Sequence, residues 1–146
     1  MDISTTIRGQ IITALSGLKY SGVSIPVFDE VVNPASTIPT VSGAQIYVLI
    51  QDQQWTDNAK QTVCNVRTNH SVTIRVVTKW GLVGSKKVCE DIGDNILSLL
   101  RTRRGKSLIS GADKCEVSVS RTITEQTTSN LAFSKILILT FINNSH

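Results

Sequence analysis

Two stretches of the chain place apolar residues at steps of three or four, and each stretch predicts an amphipathic helix. The first runs from about Ser4 to Leu18, and the second follows Ser85, a residue type that favours the N-cap of a helix. The apolar positions of the first stretch are Ile3, Ile7, Ile11, Leu15 and Leu18. Those of the second are Val88, Ile92, Ile96 and Leu99, broadened by Cys89 and Leu100. We expect both stripes to be buried against a sheet.

Continuous and alternating apolar runs predict the strands of that sheet. Residues 46–50 are apolar throughout, and residues 72–78 alternate between aliphatic and polar types in a strand that could begin as early as Val63. Before them, residues 23–28 favour a short extended segment. The polar stretch from Gln51 to Gln61 is interpreted as a connection or a hairpin arm.

The last third of the chain predicts an antiparallel hairpin. Residues 117–123 and 133–142 alternate in the manner of strands, and residues 125–130 form a polar turn between them. Residues 136–139 are apolar on both faces, which is typical of a central strand with cover on both sides. The order of elements predicts an α+β fold, with an antiparallel sheet of four to five strands and two covering helices, in a single domain over residues 1–146.

A proline-bearing loop at about residues 31–44 interrupts this pattern. From Val31 to Gly43 it is rich in Ser and Thr, and loops of this length tend to be functional or disordered. We expect it to be an assembly element that becomes ordered on a neighbouring subunit or on the next ring of the assembly, with a tolerated surface insertion as the alternative. The residues expected at that interface are Val31, Val32, Pro34, Ile38, Pro39 and Val41.

Composition favours a domain that folds in water, since 40% of the residues are hydrophobic and 18% are charged. Cys64, Cys89 and Cys115 are widely spaced and form no CxxC pair, so we expect buried thiols and neither a disulfide framework nor a zinc site. Residues 1–4 do not begin a signal peptide, and no apolar run is long enough to span a bilayer. We therefore expect a protein that is cytosolic where it is made.

No catalytic, cofactor-binding or metal-binding residues are predicted. His146 is the last residue, and His70 has no second ligand or catalytic group at a usable spacing. We expect His70 to be solvated at the end of a strand. Residues 105–107 read Gly-Lys-Ser, but the first glycine of a phosphate-binding loop is missing.

The net charge of +4 is modest, and one basic patch stands out. It consists of Arg101, Arg103, Arg104 and Lys106. We place the three arginines in the last turn of the second helix, with Gly105 as the residue after the cap, where positive charge complements the helix dipole. This explanation is preferred to DNA binding, because neither a dense basic stripe nor flanking aromatic residues accompany the patch. The solubility of the exposed helix face and the helix dipole are sufficient to explain the acids Glu90, Asp91 and Asp94.

One ordered series of features spans nearly the whole chain. It comprises an amphipathic helix leading to Val27-Phe28-Asp29, a proline-bearing loop, the strand Tyr47-Val48-Leu49-Ile50, the stretch from His70 to Val76, a helix from Lys87 to Leu100 and two closing strands. In this order the features resemble the phage tail-completion family, whose members are also called tail terminators. The chain departs from the common pattern in two segments, residues 31–43 and 51–61, which are longer than usual.

The resemblance implies a structural protein of the phage neck or tail, located in the virion and assembled in the host cytoplasm. Such proteins form a ring, commonly six-fold, that terminates the tail tube and joins it to the head connector. The implied partners are further copies and other neck and tail proteins, with DNA at most as passing cargo, no membrane and no cofactor. The longer segments leave open a twelve-fold ring seated on the portal. A small nucleic-acid-binding domain is the main alternative, and an enzyme of unrecognised type is a third.

Overall fold

The computed structural model describes residues 3–29, 38–41, 43–58, 66–81, 84–109, 112–127 and 130–145. In chain order its elements are α1 (Ile3–Leu15), β1 (Lys19–Tyr20), β2 (Val23–Ser24), β3 (Val27–Asp29), β4 (Thr40–Val41), β5 (Ala44–Asn58), β6 (Val66–Trp80), α2 (Lys86–Leu100), β7 (Lys114–Gln126) and β8 (Leu131–Ser145). Two helices accompany a sheet whose long strands are antiparallel, so the α+β class predicted from the sequence is confirmed.

The main sheet has the strand order β3-β5-β6-β8-β7, and β4 also pairs with β5. β5, β6, β8 and β7 run antiparallel to their neighbours, whereas β3 runs parallel to β5, which the sequence pattern did not predict. β1 and β2 form a separate two-stranded ribbon. β7 and β8 are the predicted hairpin, and β8 takes the predicted central position between β6 and β7. The predicted cover on both faces of β8 is wrong, because Ile136 and Ile138 are only half-buried on the face opposite the helices.

The core lies between the two helices and one face of this sheet. The fully buried residues of the helices include Ile7, Ile11, Leu15, Ile92, Ile96 and Leu100. On the strands they include Ile46, Val48, Ile50, Val72, Ile74, Val76, Leu137, Leu139 and Phe141. A Cβ atom on Gly93 would lie 3.1 Å from Lys135 Cγ and 3.8 Å from Leu137 Cδ1, which places α2 directly over β8. Each buried aliphatic side chain stabilises the fold by about 1.5–3 kcal/mol, so this layer dominates the stability.

Two expectations for α2 are wrong. Val88, Ile92, Ile96 and Leu100 recur every four residues and are buried, whereas Leu99 lies one step around the helix and is 37% exposed. The helix ends at Leu100, and Arg101 is its C-cap with an extended backbone. The arginines are therefore not in the last turn, because the chain leaves the helix before reaching them. The N-cap prediction is confirmed, since the Ser85 side chain accepts a hydrogen bond from the Lys87 amide.

One boundary differs from the sequence pattern, and two others fall within the alternatives that the pattern left open. α1 ends at Leu15 and not at Leu18. The polar stretch after Ile50 continues β5 as far as Asn58, so it is a hairpin arm and not a connection. β6 begins at Val66, which places His70 inside the strand, where it pairs in register with Phe141 and is fully buried. The expectation of a solvated histidine at a strand end is therefore wrong.

Candidate assembly surfaces

The sheet face opposite the helices carries aliphatic side chains that are only half-buried. We call Val119, Ile123, Ile136 and Ile138 the open face. A bulge between Val117 and Val119 shifts the alternation of β7, so that Val119 pairs with Ile138 and lies on this side of the sheet. Without the bulge, Val119 would face the helices, because successive strand residues point to opposite sides.

Polar side chains lie between and beside these aliphatic residues. The Arg75 guanidinium donates to Ser134 Oγ at 3.1 Å and to Glu125 Oε1 at 3.4 Å. The Ser118 and Thr140 hydroxyls lie 2.8 Å apart. The ion pair with Glu125 is partly exposed and contributes little to stability, typically less than about 1 kcal/mol. The open face therefore combines apolar area with fixed hydrogen-bonding groups, which is the mixture found in protein interfaces.

The other half of the same sheet face is covered by its own side chains. The Phe28 and Tyr47 rings meet edge to face, with their centroids 6.2 Å apart. The Lys79 ammonium lies 5.5 Å from the centroid of the Tyr47 ring. Leu49 and Val77, on this half, are buried. A partner would therefore find accessible aliphatic side chains on β7 and β8 more than on β5 and β6.

The predicted basic residues form a tight turn beyond α2. The Thr102 amide donates to the Lys106 carbonyl at 2.9 Å, and the Gly105 amide donates to the Thr102 carbonyl at 3.0 Å. The Lys106 amide donates to Thr102 Oγ1 at 3.1 Å. Gly105 has a φ of +84°, a conformation that glycine adopts without strain. These bonds fix the turn, and Arg103 and Arg104 project from its tip, exposed to solvent.

The structure adds Lys114 to this group, since Lys106 and Lys114 form an antiparallel bridge. We call Arg101, Arg103, Arg104, Lys106 and Lys114 the basic corner. From residue 101 to residue 114 the chain has five basic residues and one acidic residue, and the rest of the chain has ten of each. The excess positive charge of the whole protein is thus concentrated in this corner.

Two leucines, one in the last turn of α2 and one beside Lys106 of the basic corner, are exposed. Among the described residues, Leu99 and Leu108 are the exposed large hydrophobic side chains, with exposed fractions of 37% and 53%. The Leu108 amide donates to the Leu100 carbonyl at 2.9 Å, which holds Leu108 against the end of α2 that carries Leu99. Apolar side chains beside a cluster of arginines are typical of protein-binding surfaces.

The structure describes part of the predicted interface loop. Val31, Val32 and Pro34 lie outside the described residues, whereas Ile38 and Pro39 are half-buried. The Pro39 carbonyl accepts a hydrogen bond from the Ile46 amide at 3.3 Å, and Val41 pairs in register with Ala44. The end of the loop is therefore attached to β5. Its role as an interface remains a prediction.

The comparisons with known proteins agree with this architecture. The sequence matches no protein-family model and no curated protein. The structure is similar to one chain of the virion of a native gene transfer agent particle, with a TM-score of 0.50 and 10% sequence identity. The match covers 97% of this chain and 92% of that one. The two chains share a fold.

At 10% identity the similarity does not transfer the roles of individual residues, so the candidate surfaces are argued from this chain's own side chains.

Burial raises the pKa of the Cys115 thiol to about 11, and burial together with Glu90 raises the pKa of Cys89. Cys64 lies outside the described residues. Within the described ranges, no group of three His, Cys, Asp or Glu side chains is placed so that it could hold a metal ion. Neither described helix is long and apolar enough to cross a membrane.

Proposed function

We propose that this chain is a structural protein of a phage-like virion, which forms a ring at the neck, terminates the tail tube and joins it to the head connector. The observation that carries the proposal is the shared fold with a chain of a gene transfer agent virion, which extends over almost the full length of both chains. The alternative within the same proposal is a neck ring that lies next to the portal. The role is architectural, with no catalysis and no cofactor.

The surfaces of the subunit support an assembly role. A subunit of a ring needs two different contact surfaces, one for each neighbour. The open face on β7 and β8 and the basic corner beyond α2 are separate candidate contact surfaces, and each combines apolar and polar groups. His70 is fully buried inside β6.

The experiment is to purify the protein and measure its molar mass by light scattering after size exclusion, with negative-stain images of the same fractions. The expected result is a closed ring, and the mass separates six subunits from twelve. A matched sample at high salt checks whether the ring depends on charge. A protein that stays monomeric at high micromolar concentration would contradict the proposal.

The second function considered from the sequence, nucleic-acid binding, would use the basic corner. Phosphate contacts weaken steeply with salt, so a duplex DNA shift assay at two salt concentrations tests it directly. The exposed Leu108 beside the corner favours a protein partner, because phosphate contacts gain nothing from an exposed aliphatic side chain.

A further inference from the structure

We infer that the basic corner of one subunit binds the acidic surface of α2 on the next copy of this chain. The inference deepens the proposed function and rests on it, since it names the charged contact that joins neighbours in the ring. It replaces the dipole explanation of the arginines, which fails because Arg103 and Arg104 lie beyond the end of the helix.

The complementary surface is on α2 itself. Glu90, Asp91 and Asp94 are three acids within five residues, the densest acidic group of the sequence. Glu90 and Asp94 are four residues apart and therefore lie on one side of the helix, and both are exposed. We call these three acids the acidic stripe.

The two charged groups do not neutralise each other within one subunit. From Asp94 to the end of α2 at Leu100 the helix rises about 9 Å, and Arg103 and Arg104 lie further along the chain. At physiological salt, exposed charges this far apart are largely screened from each other. Within the described part of the chain no salt bridge involves Asp94, Arg103 or Arg104. Asp94 and the two arginines are thus available to a second copy, and Glu90, which accepts one hydrogen bond from the Thr122 hydroxyl at 3.4 Å, keeps its charge exposed beside Asp94.

An exposed leucine identifies the partner as a protein. Leu108, two residues beyond Lys106, would be covered when the corner docks, and covering exposed aliphatic area stabilises association between proteins. Phosphate groups of a nucleic acid would leave this side chain in water. Arginine, with its planar group of donors, is also suited to paired contacts with carboxylates.

The contact joins two different surfaces and therefore has a direction. When the corner of each subunit docks on the stripe of the next, the same contact repeats around the assembly, and a suitable rotation closes it into a ring. In a closed ring each subunit contacts one neighbour through its acidic stripe and the other through its basic corner. No subunit stands at an end, so both charged groups of every subunit have a partner.

The test is a set of charge reversals, measured by light scattering at 0.1 M salt. One variant combines Arg103→Glu with Arg104→Glu, and the other combines Glu90→Arg with Asp94→Arg. We expect each variant to weaken assembly roughly tenfold or more, since like charges then face each other. Lys79→Glu is the control, because Lys79 is an exposed base outside both groups and should leave assembly unchanged. Circular dichroism and melting curves verify that every variant is folded.

Rescue gives the decisive measurement. An equimolar mixture of the two reversed variants restores complementary contacts when they alternate, and the chain carrying all four substitutions restores every contact in one subunit. We expect both samples to assemble as the natural protein does. If the reversed variants assemble normally, or if they fail and neither rescue works, the inference is wrong.

Two further results separate the inference from the proposed function. A ring that forms regardless of all these charges would overturn the inference and leave the ring proposal intact. A charge-dependent dimer in place of a ring would overturn the proposed function while keeping the contact. Duplex DNA binding that is lost in Arg103→Glu with Arg104→Glu, with assembly unchanged, would overturn the inference and assign the corner to nucleic acid.

Discussion

Replacing Ile92 with alanine should destabilise the subunit strongly, whereas the same change at Leu99 should have little effect. The two residues lie on one helix, but Ile92 is fully buried and Leu99 is 37% exposed. Ile92→Ala removes three carbons, each contributing about 0.8 kcal/mol of transfer free energy. The cavity that remains adds to this loss, so the free energy of unfolding should fall by about 3 kcal/mol.

Leu99→Ala leaves no cavity, and alanine has the higher helix propensity, so we expect a loss of less than about 1 kcal/mol. The assay is urea unfolding followed by far-UV circular dichroism. With a slope of about 2 kcal/mol/M, Ile92→Ala should lower the midpoint by about 1.5 M. Equal protein concentration and high salt are needed in all samples, because assembly would otherwise contribute to the apparent stability.

A second pair of substitutions sharpens the comparison. Ile92→Asp places an unpaired charge in the core and should prevent folding, whereas Leu99→Asp should give a soluble protein that melts cooperatively. Similar midpoints for the two alanine variants, or a folded Ile92→Asp protein, would refute the assignment of the buried face of α2.

Three other predictions concern single residues. Ser85→Ala removes the acceptor of the Lys87 amide and should cost about 1 kcal/mol in urea unfolding, while Ser85→Asp should retain most of that stability. Gly84→Ala would bring a Cβ within 2.5 Å of the Trp80 ring, so the ring must move and both tryptophan fluorescence and the melting temperature should change. Burial raises the pKa of the Cys115 thiol from 9.0 to about 11, so the folded state retains this proton longer than the unfolded state does. Stability should therefore be complete below pH 9 and decline towards pH 11, and Cys115→Ala should reduce that decline in urea midpoints measured at several pH values.

The sequence predicted the elements whose pattern has a clear period. α2, its N-cap and the hairpin of β7 and β8 follow from spacing alone, because helix and strand periods are local properties. The error at Leu99 arises because Leu99 and Leu100 are both apolar, and only the packing of the helix decides which one is buried. The parallel pairing of β3 with β5 joins distant residues and leaves no mark on either local pattern.

The candidate surfaces were less predictable. Arg101, Arg103 and Arg104 were identified as a basic patch, but the sequence did not show that the helix ends before Arg103 or that Lys114 joins the group. Val119 reaches the open face only through the bulge in β7, and a bulge depends on tertiary pairing. His70 was misplaced because the clear alternation begins only at Val72, and the burial of a polar residue nearer the start of β6 depends on tertiary packing.

The central position of β8 has a consequence for how the chain folds during synthesis. β6 and β8 join residues that are between 51 and 79 positions apart, from the pair Trp80 and Leu131 to the pair Val66 and Ser145. The hairpin of β5 and β6, both helices and β7 are all synthesised first, and none of them completes the sheet. Until residues 131–145 leave the ribosome, one edge of β6 lacks its partner strand, and α2 lacks the strand that lies beneath Gly93. Such long-range pairing folds slowly and exposes apolar strands to aggregation, so the nascent subunit should depend on chaperones more than its size would indicate.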